Sequence, residues 1–451
     1  MKIQLILPTR LDANQQPIKY KKALFPPMSL AILDGLTPLR HHVKVVNDVV
    51  EEVDFSSSYD LVAITAFTAQ INRAYQIADQ FRKLGVKVVI GGIHATVLPH
   101  EVKEHADAVF VGEMGHLWKQ ILLDAEKNRL KEFYQEESLP DLKDSVLPRW
   151  DHMNMKIYLK PWGQKLPAFP IFTTRGCLYD CTFCSVSKYF GRTFRTKPIA
   201  KVIEEIDNAK ANSFIFVDDN ITGDADYARE LFKALVSKRI RWFSQADTTI
   251  LKSPDLIDMA NKAGSISLLV GIESFNKKSL KTIRKGFNHP EAYGELFARL
   301  RKAHIIAIPT IIFGFDEEPL EQFEFVIDFL MKHKLGTAFF SILTPLPGTE
   351  LYQEMKKAGR IITTDWGQYD LVHLVFKPIG CSVDEFHEKF WKYYRSYFTY
   401  RKMAKRLFYF VPNSSRPFTT LSVSLFYSFH TRKQVYAYNP PISDGFLRRK
   451  R

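Results

Sequence analysis

Between residues 170 and 343 short apolar runs alternate with amphipathic stretches, and this alternation limits the possible folds more than any other feature of the chain. The runs 170–175, 213–217, 241–246, 267–272, 308–313 and 337–343 read as strands. The stretches 225–237, 254–263, 290–303 and 320–333 carry apolar residues at helical spacing. Strands alternating with helices argue for parallel β/α units, since each helix returns the chain for the next strand. In such folds the chemistry gathers at the carboxyl ends of the strands. Cys177, Cys181, Cys184, Asp218, Asp219, Gln245, Glu273, Ser274 and the segment 344–349 all fall there.

Three of the four cysteines sit within eight residues, 177–184, as Cys-Leu-Tyr-Asp-Cys-Thr-Phe-Cys, directly after Gly176. Thiols this close make a metal site, and the missing fourth ligand decides which kind. Structural zinc takes four protein ligands, usually as two pairs, so it would need Cys381 or a histidine to complete it. An iron-sulfur cluster on three cysteines keeps one iron open for another ligand. Cys381 stands alone and reads as a small buried hydrophobe.

The spacing C-x3-C-x2-C of Cys177, Cys181 and Cys184, with aromatic Phe183 before the last cysteine, resembles the signature of the radical S-adenosylmethionine enzymes. The resemblance implies a 4Fe-4S cluster on the three cysteines. Its open iron would chelate the amino and carboxylate groups of S-adenosylmethionine, and electron transfer would release a 5′-deoxyadenosyl radical. It also implies a partial (β/α)6 TIM-type barrel. Phe183 matches the position whose backbone meets the adenine. Gly271-Ile272-Glu273-Ser274 resembles the fourth-strand motif, in which Glu and Ser reach the ribose and the methionine moiety. The glycine-glycine-glutamate common after the second strand is absent, and Asp218-Asp219-Asn220 occupies its place. Gln245 stands where some members carry arginine. From the residues themselves, Asp218-Asp219 also reads as an N-cap for the helix 225–237. Glu273 also reads as half of a surface salt bridge.

Residues 1–130 form a second unit. Strand-like runs at 3–7, 44–47, 60–65, 87–90 and 108–111 alternate with helical stretches at 27–39, 71–84, 98–105 and 116–125. That is a doubly wound, Rossmann-like pattern, expected to bind ligands at the carboxyl ends of its strands. Gly91-Gly92 follows a buried run, where glycine would let a bulky ligand or a phosphate approach the backbone. The segments 25–30, 91–96 and 111–115 resemble the cobalamin-binding domain that precedes the radical core in one subgroup of the family. Thr65 falls near that domain's Ser-x-Leu element. The Asp-x-His-x-x-Gly motif that supplies a histidine to cobalt is missing, and His94 reads as structural. The resemblance therefore implies cobalamin without a lower histidine ligand. It also implies methyl transfer to an unactivated carbon, with cyclisation, rearrangement or oxidation as the runner-up. A non-catalytic iron-sulfur sensor or nucleic-acid-binding module is the reading from another class. An external electron donor of the flavodoxin or ferredoxin type is the expected partner.

The expected order is thus α/β throughout: a cobalamin-binding-like unit 1–130, a linker 131–165, the barrel 166–380 and a basic, aromatic-rich helical extension 381–451. No apolar run reaches the ~20 residues that span a bilayer, and no signal-peptide core is visible. A cytoplasmic location is expected. The net charge of +14 suggests an anionic partner. Residues 382–451 carry 14 Lys or Arg against four acids, Asp384, Glu385, Glu388 and Asp444. Phe390, Trp391, Tyr393, Tyr394, Tyr397, Phe398, Tyr400, Phe408, Tyr409 and Phe410 crowd the same stretch. Two readings follow: a membrane-surface helix, with a small-molecule or lipid-like substrate, or a helical cap beneath the barrel. Nucleic acid ranks third, because no binding motif accompanies the charge.

Overall fold

The computed structural model describes residues 1–160, 164–410, 417–438 and 445–448. Its first sheet has six parallel strands in the order His42–Asn47, Lys2–Leu7, Leu61–Thr65, Lys87–Gly91, Ala108–Val111 and Phe133–Gln135. Successive side chains point to opposite faces of a strand, and here both faces are covered. Ile3 and Leu5 pack with Leu30 of helix Met28–Leu36 and Trp118 of helix Leu117–Glu126. Ile6, Ile64 and Ile90 pack with Ala74, Ile77 and Phe81 of helix Ile71–Lys83. Burial on both faces is why these strands read as near-continuous apolar runs. The order reverses between Lys2–Leu7 and Leu61–Thr65, and a ligand crevice belongs at the carboxyl ends beside that point.

Two details depart from expectation. Phe133–Gln135 lies inside the stretch read as a linker, yet it pairs with Ala108–Val111 and widens the sheet. The helix expected over 98–105 is the shorter Pro99–Lys103, and a further short helix, Ile93–Val97, precedes it. Pro99 opens the former, where its missing N–H breaks no helical hydrogen bond.

The second sheet runs in chain order: Phe169–Ile171, Ser213–Phe216, Arg241–Ala246, Ser265–Glu273, Ile306–Phe313 and Phe339–Ile342. All neighbours are parallel. The sheet curls into a partial (β/α)6 TIM-type barrel. Helices Ile199–Ala209, Ala225–Val236, Pro254–Lys262, Tyr293–Lys302 and Gln322–Lys332 bury Val202, Leu231, Ile257, Phe297 and Val326 against it.

Helix Val383–Tyr397 closes the barrel's flank. Phe386 and Phe390 meet Phe323, and Trp391, Tyr394, Tyr397 and Phe398 are buried in the same core. These aromatics therefore form the helical cap and are withdrawn from any membrane face. Tyr400 and Phe408, on the next helix Tyr400–Phe410, remain exposed. The side chains of Tyr409 and Phe410 lie outside the described residues. After helix Pro417–Tyr436, strand Gly445–Arg448 pairs with Tyr20–Ala23 and ties the tail to the first unit. Among the described residues no helix is long and apolar enough to cross a membrane.

Candidate active site

The cysteine loop is built on a short ribbon. Thr174–Arg175 pairs antiparallel with Arg195–Thr196, and the chain between them carries Cys177, Cys181 and Cys184. Gly176 begins the turn at φ +85°, and a Cβ there would stand 2.3 Å from the Thr193 carbonyl oxygen, so only glycine fits. Asp218, from the end of the second barrel strand, holds the ribbon's root. Its Oδ1 accepts the Thr173 N–H and hydroxyl, both at 2.9 Å, the Thr174 hydroxyl at 2.6 Å, and the Thr174 N–H. Asp218 does not cap the following helix. Asp224 does, accepting the Asp226 and Tyr227 N–H groups at 3.0 Å. Burial pushes the Asp218 carboxyl up against the pull of the two threonines. Asp219 is half-buried; burial and then the Asp218 charge push its carboxyl to about 6, although the Gly176 N–H pulls it down.

The remaining strand ends converge on the same face. Gln245 Nε2 donates to the Asp218 carbonyl at 3.4 Å, a weak contact. At Glu273 the fourth strand breaks register with the fifth, and the residue takes a left-handed φ of +58°. Its carboxylate is buried, not on the surface. It accepts from Lys285 Nζ at 2.6 Å and from the Thr310 hydroxyl at 3.1 Å. The Ser274 hydroxyl donates to the Glu318 carboxylate and accepts the Asn276 N–H at 2.9 Å. Phe183 is half-buried against the barrel core. Lys285 and Glu318 escaped the sequence reading. Both sit in polar stretches after strand ends, and only the fold shows which of those charges turn inward.

The three thiols are free and half-buried. Burial raises all of them, Cys181 to about 11 and Cys184 to about 12, with Lys285 pulling the other way. Thiols like these ionise only beside added positive charge, which iron supplies. Among the described residues no trio of His, Cys, Asp or Glu converges on a single ion. Cys381 packs at the edge of the barrel core, before helix Val383–Tyr397.

On the first unit, Thr65 and Gly91 lie opposite each other at adjoining strand ends. A Cβ on Gly91 would make only ordinary contact with Phe110, at 3.5 Å. Gly92 has a different reason to be glycine: at φ +103° its Cβ would fall 2.7 Å from the Ala66 carbonyl oxygen, so packing within the protein demands it. Gly112, at φ +93°, has open space where a Cβ would be. Phe67, just past the carboxyl end of Leu61–Thr65, is 63% exposed. Small residues and an exposed ring along this edge leave room for a large planar ligand. His94 is fully buried, with Thr68 Oγ1 at 3.3 Å from Nδ1 and Glu101 Oε1 at 3.3 Å from Nε2. Both ring nitrogens are engaged, so it is no metal ligand.

The segment after the barrel is tied to the first unit. Trp366 Nε1 donates to Glu101 at 2.9 Å, Asn72 to Asp365 at 2.8 Å, and Arg10 to Asp370 at 3.0 Å. A cleft of about 300 Å³ opens there, lined by Arg10, Ile18, Asp370 and His373 among others. A larger cleft, about 470 Å³ beside Arg82 and Lys87, lies at the amino end of the first sheet, away from this chemistry.

The family model described as radical SAM superfamily matches residues 171–330, and that described as B12 binding domain matches residues 31–121. The bacteriochlorophyllide d C-8(2)-methyltransferase of Chlorobaculum tepidum is 30% identical over 453 residues, covering 96% of this chain and 98% of its own. The bacteriochlorophyllide d C-12(1)-methyltransferase of the same organism is 31% identical over 360 residues, 78% of each chain. The hopanoid C-2 methylase of Rhodopseudomonas palustris is 24% identical over 360 residues, 76% of this chain and 66% of its own. Among solved structures, the radical S-adenosylmethionine methyltransferase TsrM from Kitasatospora setae, with cobalamin and a 4Fe-4S cluster bound, superposes with a TM-score of 0.61. Identity is 16%, over 86% of this chain and 85% of that one, and the likeness is one of fold.

Proposed function

Because the chain belongs to the family of cobalamin-dependent radical S-adenosylmethionine methyltransferases, we propose that it methylates an unactivated carbon on a large apolar ring compound, a tetrapyrrole being the first to test. The observation that carries this reading is the 30% identity, over almost both full lengths, to a methyltransferase named for a bacteriochlorophyllide. The hopanoid methylase extends the same theme to another apolar polycycle. The bound cluster, S-adenosylmethionine and cobalamin supply the radical and the methyl group; the protein supplies binding, orientation and exclusion of water.

Each residue then has a task. Cys177, Cys181 and Cys184 hold the cluster, and Asp218 fixes the root of their loop. Phe183, Asp219, Gln245, Glu273 and Ser274 line the S-adenosylmethionine side. Thr65, Gly91 and Gly92 belong to the edge that receives cobalamin. An external donor of the flavodoxin or ferredoxin type delivers the electron. Exposed Tyr400, Phe408 and Phe429 among the cations of the C-terminal helices suit peripheral contact with an anionic leaflet, which would bring the enzyme to a lipid-soluble substrate.

The test is anaerobic incubation with methyl-labelled S-adenosylmethionine, a strong reductant, cobalamin and a chlorophyllide-type substrate. Label in the product, together with 5′-deoxyadenosine and S-adenosylhomocysteine, supports the proposal. Altered but unlabelled product with 5′-deoxyadenosine would instead favour cyclisation, rearrangement or oxidation.

A further inference from the structure

Glu113 lies in the loop after Ala108–Val111, outside any strand or helix, yet it is only 4% exposed. Its two carboxylate oxygens serve two different arginines. Arg175 Nη1 donates to Oε1, and Arg195 Nη2 donates to Oε2 at 2.5 Å. Arg175 and Arg195 are directly opposed in the ribbon that forms the base of the cysteine loop. The loop leaves the ribbon at one arginine and returns at the other. Two guanidinium groups side by side repel unless an anion stands between them, and a divided carboxylate gives each a charge-assisted hydrogen bond. Both arginines are held elsewhere as well. Arg175 stacks 3.9 Å from the Phe172 ring centroid, and Arg195 Nη1 donates to the Pro140 carbonyl at 2.6 Å. The fork is fixed in place, and Glu113 is the part that must fit it.

The neighbours of this contact give it meaning. Gly112, the open glycine on the edge of the first sheet, immediately precedes Glu113. Cys177 follows Arg175 by two positions. One carboxylate and the two guanidinium groups it binds therefore join the loop after Ala108–Val111 to the base of the cysteine loop.

We infer that Glu113 is a positioning residue: through Arg175 and Arg195 it sets the spacing and angle between the cobalamin-binding edge and the cluster loop. The inference rests on the two cofactor edges named under Proposed function. It goes beyond that reading because it assigns their registration to one carboxylate.

The experiment uses full-length protein reconstituted with the cluster and cobalamin. Content of both is measured first, and then the electron-spin relaxation of paramagnetic cobalt, with the cluster oxidised and reduced. Relaxation enhancement by the reduced cluster depends steeply on spacing, and a merely structural role would leave it unchanged in any protein that still loads both cofactors. Glu113→Gln removes the charge and one acceptor while keeping the length. It is expected to load both cofactors and to lose most of the enhancement. Glu113→Asp, charged but one methylene shorter, is expected to show a partial loss. Enhancement equal to wild type in a loaded variant would overturn the inference. Should Glu113→Gln fail to load, Glu113→Asp decides in the same way. Failure of both to load would reduce Glu113 to a folding role and overturn it too. Failure of the wild-type protein to take up cobalamin would strike the cofactor reading first, and the inference with it.

Discussion

Lys285 Nζ lies 2.6 Å from Glu273 Oε1, and both side chains are about nine-tenths buried. Burial alone would lower the Lys285 ammonium, but the Glu273 carboxylate and then the Cys181 thiol beside it raise it above the ordinary lysine value. Removing one partner of a buried ion pair strands the other charge and typically costs about 3–5 kcal/mol. Lys285→Met should therefore lower stability in urea by that order. The double variant Glu273→Gln/Lys285→Met should lose clearly less than the sum of the two single changes. Additive losses would mean that the pair is not coupled.

The cysteines divide sharply. Alanine at Cys177, Cys181 or Cys184 should abolish cluster binding, whereas Cys381→Ala should leave iron and sulfide content at the wild-type level. Because burial holds the Cys181 thiol near 11 and the Cys184 thiol near 12, cluster assembly must release protons. Reconstitution should accordingly proceed further at pH 8.5 than at pH 7. Iron loss in the Cys381 variant would contradict its assignment to packing.

Much of this was legible in residue order. Parallel strands buried on both faces leave continuous apolar runs, and the three cysteines, Asp218-Asp219 and Glu273-Ser274 sit at their ends. The Phe133–Gln135 strand escaped notice because three residues between polar neighbours carry almost no periodicity. The partners of those motifs were not legible at all. Glu113 meets Arg175 and Arg195 from 62 and 82 positions away, and an inward-turning charge looks like any other in a polar stretch. Gly92 shows a different limit: a glycine required by the nearby Ala66 carbonyl has the same sequence signature as one that makes room for a ligand. The tail's aromatics likewise could be divided into buried and exposed sets only by the packing of helix Val383–Tyr397.

Asp218 should matter to the loop more than to the chemistry. Its Oδ1 satisfies two backbone N–H groups and two hydroxyls from Thr173 and Thr174. Leaving buried donors unsatisfied costs about 1–3 kcal/mol each. Asp218→Ala should lower the unfolding free energy by at least ~3 kcal/mol by the same principle, and should make a reconstituted cluster labile to chelator. Asp218→Asn keeps one acceptor oxygen and should lose less. Equal stability of Asp218→Ala and wild type would show that the threonines have found other partners.

Glu318 predicts a pH dependence. Burial raises its carboxyl to about 7, with the Ser274 hydroxyl pulling it down. The folded state thus holds the proton more tightly than the unfolded chain, where the value is near 4.5. Its contribution is complete below about 4.5 and is lost as pH rises through about 7. At one pKa unit per 1.4 kcal/mol the loss is roughly 3–4 kcal/mol. Glu318→Gln should remove this slope, so that its stability relative to wild type improves from pH 5 to pH 8. A gap between the two proteins that does not change with pH would refute the assignment.

The proposed membrane contact makes a prediction that the helical cap alone does not. Phe408 is 75% and Phe429 51% exposed, and Arg401 and Lys405 are exposed on the same helix as Phe408. Aromatic groups with adjoining cations should bind an anionic surface, each cation adding about 1 kcal/mol at low salt. Full-length protein should therefore sediment with anionic vesicles at low salt and be released at high salt. Arg401→Gln/Lys405→Gln should weaken binding by about 30-fold, the equivalent of about 2 kcal/mol. Phe408→Ser should weaken binding at any salt, because apolar burial is not screened as charge is. Equal sedimentation with neutral vesicles would remove the electrostatic part. No sedimentation with either would leave these helices as a cap on the barrel and nothing more.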